Sequence, residues 1–154
     1  MDDRDLLRQS PTWFEVMTAG LSDAKWRERP AEGQWSALEV VRHMLDIETD
    51  VYGLRVRRLA RGEQTDFTGG PGFDADRWAT ERRYNEADPK AALADFRRER
   101  EATLAALAGD VDLTRHWRSG TMEGDLRTLL ARFANHDAIH IGQLAKIRRG
   151  IRAY

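Results

Sequence analysis

Two histidines near the end of the chain have a spacing that can hold a metal ion. Residues 135–147 read NHDAIHIGQLAKI, so His136 and His140 lie four positions apart and Asp137 follows the first of them. On a helix, side chains at this spacing project from the same face, and both imidazoles can therefore reach one ion. The run also differs by a single methylene group from H-E-x-x-H, the motif that binds zinc in metalloproteases. The spacing alone allows a protease helix, another kind of metal site, or two histidines of the core.

The protease interpretation fails because the chain supplies no further ligand after the pair. In proteases of this class the third ligand comes from well beyond the second histidine. Only 14 residues follow His140, and none of them is His, Asp or Glu. A third ligand must therefore come from earlier in the chain, where His43 and His116 are the remaining histidines.

The histidine pair is predicted to lie in the middle of the buried stripe of its helix. At about 100° per residue, several apolar side chains fall within about 40° of His140, and His136 lies in the same arc. Burying two imidazoles among apolar side chains is costly unless their nitrogens are satisfied, and a shared metal ion satisfies them. Hydrogen bonds to neighbouring core groups are the alternative. The apolar side chains of this arc are Leu126, Leu129, Phe133, Leu144 and Ile147.

The two candidates for the third ligand differ in how firmly the sequence places them. His43 lies about two turns into a predicted helix, which begins after Ser36 because Ser36 and Glu39 form a capping box. Glu39 and Asp50 share the face of His43 and could accept its free N–H. A more apolar stripe lies on the opposite side of this helix. His116 belongs to a turn-rich segment, so His43 is the better candidate.

The elements that must position these residues are mainly helices, because helix caps recur along the chain and strand signals are nearly absent. Four long helices, two tight connections and one long crossover through residues 62–87 predict an all-α four-helix bundle, with the crossover between helices 2 and 3. We expect one domain over residues 1–154. The long helices are predicted to start at Ser10-Pro11, to run from Ala37 to about Arg61, to run from Asp88-Pro89 to just before Gly109, and to run from about Asp125 to Arg149.

The segments between the long helices are predicted to be mostly irregular. Residues 62–73 contain the run Gly69-Gly70-Pro71-Gly72 and are expected to form an exposed loop. A shorter helix is predicted over Asp74–Tyr84. Residues 110–124 are expected to consist of turns.

The composition limits the partners and the chemistry of the chain. A net charge of −1 gives no general attraction to nucleic acid or membrane surfaces. The absence of cysteine excludes disulfides, thiolate ligands and a cysteine nucleophile from this chain. No window comes near the roughly 18 apolar residues of a membrane helix, and the N-terminus does not read as a signal peptide. We therefore expect a cytoplasmic protein with a small-molecule partner.

Two motifs resemble those of the DinB-like superfamily, which includes YfiT-like proteins and thiol-dependent transferases. They are WSALEVVRHMLDIE at 35–48 and HDAIHIGQL at 136–144, within a resemblance that covers nearly the whole chain. The resemblance implies a four-helix bundle with a long connection between helices 2 and 3. It further implies one divalent metal ion, zinc or nickel with iron as a further option, bound by His43, His136 and His140. Homodimers are frequent in this superfamily, and the two apolar faces of the second helix would suit one.

An ion held by three neutral imidazoles would keep an open coordination position, which is the arrangement of catalytic rather than structural sites. The resemblance implies a thiol S-transferase that uses a low-molecular-weight thiol, since this chain has no thiol of its own. A metal-hydroxide hydrolase is the rival reaction, and either could serve detoxification or a stress response. A non-catalytic bundle, in which the metal has a structural or sensing role, is the alternative.

Three further residues are candidates for roles at this site. Asp137 could orient a ligand or act as a catalytic base, although it could also be an ordinary flank of the stripe. Arg100 falls in the centre of the third helix's apolar stripe, where a guanidinium needs an anionic partner. That partner is either an internal carboxylate or the carboxylate of a thiol cofactor or substrate. Gln143 matches the superfamily's motif and is expected to pack or to hydrogen-bond at the site.

Overall fold

Four long helices form the body of the protein in a computed structural model that describes residues 2–70 and 73–150. The helices are α1 (Asp3–Thr18), α2 (Asp23–Arg27), α3 (Ala37–Asp46), α4 (Tyr52–Ala60), α5 (Ala75–Glu81), α6 (Pro89–Ala106) and α7 (Leu126–Arg148), and the strands are β1 (His116–Ser119) and β2 (Met122–Asp125). A π-helical turn at Ile47–Val51 joins α3 to α4, and the continuous helix that results is called the second helix, as distinct from the short α2. A short 3-10 turn at Tyr84–Glu86 follows α5.

The packing of these helices confirms the predicted bundle and its crossover. Helix α1 packs against α6 and α7, the second helix packs against both α6 and α7, and the chain between α4 and α6 forms the crossover. Short helix α5 lies within that crossover and covers part of α3. In the described ranges, none of the helices combines the length and the apolar character that crossing a membrane requires.

Most helix boundaries follow the caps that the sequence contains. Ser36 Oγ accepts a hydrogen bond from the Glu39 N–H, and the Glu39 carboxylate accepts one from the Ser36 N–H, so the predicted capping box is present. Asp88 caps α6 and Asp125 caps α7. Gly62, just after the second helix, has a φ of 72°, the left-handed conformation that ends helices at little cost for glycine. Local chemistry therefore sets these ends.

The predicted start of the first helix was wrong. Helix α1 already begins at Asp3, and Pro11 lies inside it. Proline has no N–H to donate to the carbonyl four residues earlier, which here belongs to Leu7. That carbonyl instead accepts hydrogen bonds from Arg100 Nη1 at 2.8 Å and from Ser10 Oγ at 3.2 Å. A partner distant in the sequence thus replaces the hydrogen bond that the proline removes.

A two-stranded hairpin occupies part of the segment that was expected to contain only turns. Strands β1 and β2 pair antiparallel, and the buried Trp117 donates from Nε1 to the Asp125 carbonyl at 3.0 Å. The crossover loop docks on this hairpin through the Phe67 N–H, which donates to the Arg118 carbonyl at 2.8 Å. Strands of four residues are too short to show a clear alternation in the sequence. Within the predicted loop at 62–73, Pro71-Gly72 lies outside the described residues.

The second helix is buried on both of its apolar faces by the chain itself. Val41 and Val56, from the stripe opposite His43, are fully buried, and so are Val40 and Met44. The core divides into two clusters of apolar side chains, and this helix contributes to both. The chain itself therefore covers most of the apolar surface of this helix that was expected to suit a dimer, and the homodimer stays a prediction.

Candidate metal centre

Three histidines from two helices converge at one point in the bundle. His43 comes from α3, and His136 and His140 come from α7. One ring nitrogen from each lies within 4.8 Å of the others, and the ring centroids are 4.5 Å to 5.2 Å apart. His116, the other candidate for third ligand, is exposed on β1 and is not part of this cluster. The structure thus brings together the three histidines that the resemblance implied.

The separation of the ring nitrogens fits a bound divalent ion. The Nε2 atoms of His43 and His136 are 3.2 Å apart. Two nitrogens at about 2.0–2.1 Å from a tetrahedral zinc ion would lie about 3.3–3.4 Å from each other. A hydrogen bond between the two rings is also possible at this distance, but it would satisfy only two of the three rings. A shared cation would satisfy all three.

Gln143 fixes the tautomer of one histidine. The amide oxygen Oε1 of Gln143 lies 2.8 Å from Nδ1 of His140. Because that oxygen can only accept, the His140 proton must lie on Nδ1, and Nε2 keeps its lone pair for a metal ion. The expectation that Gln143 hydrogen-bonds at the site is confirmed.

The other two histidines have no acceptor for their second nitrogen among the described residues. The Nδ1 atoms of His43 and His136 are buried without a hydrogen-bond partner. The predicted acceptors were wrong, because the Glu39 carboxylate reaches back to the start of its helix and Asp50 pairs with Arg82 at 2.8 Å. Asp50 lies within the π-helical turn at Ile47–Val51, and this turn changes the angular position of its residues relative to His43.

Burial keeps the three imidazoles in the neutral form that binds metals. Loss of solvent, and then the neighbouring His140 and His136, lower the pKa of His43 to about 2. Burial, His140 and Arg100 lower the pKa of His136 to about 3. The pKa of His140 is lowered by burial too, with Gln143 and Asp137 acting in the opposite direction. All three rings are therefore uncharged near neutral pH.

Aromatic side chains surround the histidines. The Trp35 ring lies 4.8 Å from the His43 ring and stacks on His140 at 6.3 Å. Its Nε1 donates to Asp76 at 3.0 Å, which ties the indole to α5. The Phe73 ring is 5.9 Å from His43. These rings exclude water from much of the site and lower its local polarity.

A cavity reaches one of the three histidines, His136, from the side of the crossover loop and the hairpin. Its volume is about 460 Å³, and His136 forms part of its wall. Most of the wall is apolar, with Ile47, Phe67, Phe73 and Met122 among its side chains. The candidate site therefore faces an open cavity rather than a sealed core. This cavity could not be predicted from the sequence, because its wall combines the second helix, the crossover and the hairpin.

Arg100 and Asp137 form a buried ion pair in the core of the bundle. Arg100 Nη1 donates to Asp137 Oδ2 at 2.6 Å, and Arg100 Nε donates to Glu48 Oε2 at 2.8 Å. All three side chains are almost completely inaccessible to solvent. Of the two kinds of partner expected for Arg100, the structure shows internal carboxylates. The Asp137 carboxylate is paired with Arg100, and its role as a catalytic base stays a prediction.

Comparisons with known proteins agree with this architecture. The profile of the DinB superfamily matches residues 6–144. The solved structure of YfiT from Bacillus subtilis superposes with a TM-score of 0.82 at 18% sequence identity, over 96% of this chain and 84% of that chain. YfiT is described as a probable metal-dependent hydrolase with an unusual four-helix bundle topology. At this identity the similarity shows the shared fold. No curated protein sequence matches the chain.

Proposed function

The chain belongs to the DinB superfamily, and from this premise we propose that it is a divalent-metal-dependent hydrolase acting on a small molecule. The observation that carries the proposal is the convergence of three neutral imidazoles, one of which, His136, lies in the wall of an open cavity. The description of the similarly folded YfiT as a probable metal-dependent hydrolase supports hydrolysis as the reaction class. Zinc is the ion we place first, since the spacing of the ring nitrogens fits it, with nickel and iron as alternatives.

The protein's own residues have distinct tasks in this proposal. His43, His136 and His140 hold the ion, and Gln143 orients one of them. An ion with three neutral ligands would lower the pKa of a coordinated water to around 7. In the described part of the cavity wall there is no carboxylate, so the proposed reaction does not depend on a carboxylate base there. The aromatic shell around the rings limits the access of further water.

Substitution of each histidine tests the proposed ligands. We expect His43→Ala, His136→Ala and His140→Ala each to lose most of the metal that the unaltered protein carries, about one ion per chain. Elemental analysis after purification and dialysis measures this content. His116→Ala is the matched control, since His116 is exposed outside the cluster and should keep full occupancy. Full metal content in all three site variants would refute the ligand assignment.

A substrate panel tests the reaction class. Zinc-loaded and chelator-treated protein would be compared on aryl esters, amides and related bonds, and separately on conjugation of small thiols to model electrophiles. We expect turnover in the hydrolytic panel that disappears with the metal. Turnover with a thiol alone would instead support the S-transferase that the sequence resemblance implied. Absence of metal-dependent turnover in both panels would favour a bundle in which the metal has a structural or sensing role.

A further inference from the structure

Arg55 is a half-buried arginine that has no anionic partner among the described residues. It lies on α4 and forms part of the wall of the cavity that reaches His136. Its guanidinium makes no hydrogen bond or ion pair within the described ranges, and its recorded ring contact is with Phe67, whose centroid is 5.8 Å from Cζ. Partial burial of an unpaired charge costs free energy, and burial lowers the pKa of this group. An anion that the chain does not supply would remove that cost.

The charged residues near Arg55 have hydrogen-bond or ion-pair partners, which Arg55 lacks among the described residues. Two other arginines of α4 have partners: Arg57 donates to Thr103 at 2.9 Å, and Arg58 donates to Gln64 at 2.5 Å. Asp50 is the acidic residue that lines an adjoining cavity together with Arg55, and it pairs with Arg82. No described carboxylate therefore competes for Arg55 as a close partner.

The cavity combines this cation with an apolar body and with the three-histidine site. Arg55 is the one arginine or lysine among its described lining residues. Tyr52 lies one helical turn before Arg55 and lines the same cavity, and its ring is 5.7 Å from the His136 ring. The wall thus runs from the histidines past Tyr52 to Arg55. A cavity of about 460 Å³ has the size of a small-molecule site.

We propose that Arg55 binds the carboxylate of the substrate, and that the substrate of the three-histidine site is a small molecule with an apolar body and one carboxylate. A guanidinium binds a carboxylate through two parallel hydrogen bonds, which fixes orientation as well as charge. A phosphate dianion fits less well, because the described wall offers no second cation to balance it. The carboxylate at Arg55 directs the other end of the molecule towards His136. The placement of the substrate's reacting end near His136 rests on the proposed function, whereas the anion site at Arg55 does not.

Binding of matched probes tests the proposal without any need for turnover. The probes are 4-phenylbutyrate, its neutral amide 4-phenylbutanamide, and phenyl phosphate. Affinities would be measured by calorimetry or by NMR titration with zinc-loaded and with chelator-treated protein. The variants are Arg55→Met, which keeps the apolar stem, Arg55→Lys, which keeps the charge, and the control Arg58→Met. Arg58 is on the same helix and lines the adjoining cavity but not this one.

We expect the unaltered protein to prefer the carboxylate over the amide, with and without zinc. Arg55→Met should weaken carboxylate binding by about 10- to 100-fold, the range for a hydrogen-bonded charge, and should leave amide binding unchanged. Arg55→Lys should lose part of this preference, and Arg58→Met none of it. Thermal melting shows whether each variant is folded. If Arg55→Met does not fold, the comparison of Arg55→Lys with the unaltered protein is the test.

Several results would overturn the anion site. One is equal affinity of the unaltered protein for the carboxylate and the amide, and absence of measurable binding of both counts as this result. Another is that Arg55→Met keeps the full preference for the carboxylate. The third is that Arg58→Met loses as much of this preference as Arg55→Met. Tighter binding of phenyl phosphate than of 4-phenylbutyrate would overturn the choice of carboxylate. Loss of the anion site with metal-dependent hydrolysis intact refutes this inference alone. An Arg55-dependent preference in a protein that neither binds metal nor hydrolyses refutes the proposed function alone.

Discussion

Burial has opposite consequences for His43 and Arg100, although both are enclosed in the bundle. His43 has no partner for Nδ1 among the described residues, and burial holds its ring neutral. Arg100 keeps its charge, because Glu48 and Asp137 outweigh the loss of solvent and raise the pKa of its guanidinium. A neutral imidazole with a lone pair to offer is a metal ligand, and a charged guanidinium between carboxylates is a structural link.

Removal of the Arg100 charge is expected to destabilise the fold strongly. Arg100→Met would leave the carboxylates of Glu48 and Asp137 buried without their cation, which costs about 3–5 kcal/mol of unfolding free energy. Urea denaturation measures the change. Arg98→Met on the same helix is the control, because Arg98 is exposed and should matter by less than about 1 kcal/mol. A loss in Arg100→Met as small as that of the control would contradict the structural role.

The histidine cluster is expected to make the metal-free protein less stable in acid. The pKa values of His43 and His136 in the folded state, about 2 and about 3, lie below the ordinary value of 6.5. Between these values and about 6.5 the unfolded chain binds more protons than the folded chain. Stability is therefore complete above pH 6.5 and falls as the pH decreases, by up to about 1.4 kcal/mol per pH unit for each histidine.

Urea denaturation of chelator-treated protein at several pH values between 7.5 and 5 checks this dependence. His43→Ala should show a shallower fall, whereas substitution of the exposed His116 should leave the slope unchanged. The same slope in His43→Ala as in the unaltered protein would show that His43 does not take part.

At the scale of elements, the second helix contains a π-helical turn that its caps did not predict. The capping box starts it and Gly62 ends it, close to the predicted bounds. The π-helical turn between α3 and α4 was not predicted, because its residues carry no pattern that distinguishes them from an α-helix. In that turn Glu48 is fully buried, and its carboxylate receives hydrogen bonds from Arg100 and Thr103. A local change of helix type thus places a carboxylate in the core.

Gly53 is expected to be indispensable just after this turn. A Cβ at this position would lie 2.1 Å from the backbone oxygen of Glu48, which cannot move without disturbing the helix. Gly53→Ala should therefore cost about 2 kcal/mol or more of unfolding free energy. Gly142→Ala on α7 is the matched control, since nothing lies within 4 Å and alanine should stabilise the helix by up to about 1 kcal/mol. Chemical denaturation of both variants measures the difference, and a neutral Gly53→Ala would contradict the close approach.

At the scale of the whole molecule, the oligomeric state stays a prediction. The chain itself covers most of the second helix, but helix α1 exposes the large apolar side chains Leu6 and Trp13, which share an apolar depression with Ile141 of α7. We expect a homodimer through this face, because exposed apolar patches often mark interfaces. Light scattering should give about twice the chain mass of 17.7 kDa, and Trp13→Glu should return it to the monomer value. A monomer mass for the unaltered protein at high concentration would refute the dimer.

The sequence by itself determined the helices and the histidine pair. Capping boxes and end glycines act within about four residues, so most helix ends could be predicted, and His136 and His140 share a face because of their spacing. His43 was a candidate from its helix, and the resemblance to a superfamily completed the set. The start of α1 was missed because Pro11 is tolerated inside a helix when a distant donor satisfies the freed carbonyl.

Only the tertiary structure decided which side chains meet across the bundle. Arg100 could have faced a ligand, but it meets Glu48 from 52 residues earlier and Asp137 from 37 residues later. The cavity, and the lack of an anionic partner for Arg55 in the described ranges, depend on how the second helix, the crossover and the hairpin come together. Ion pairs and cavities form between residues far apart in the chain, where periodicity and caps carry no information. The structure therefore shows which buried charges hold the fold, and our proposal assigns Arg55, which has no anionic partner among the described residues, to the substrate.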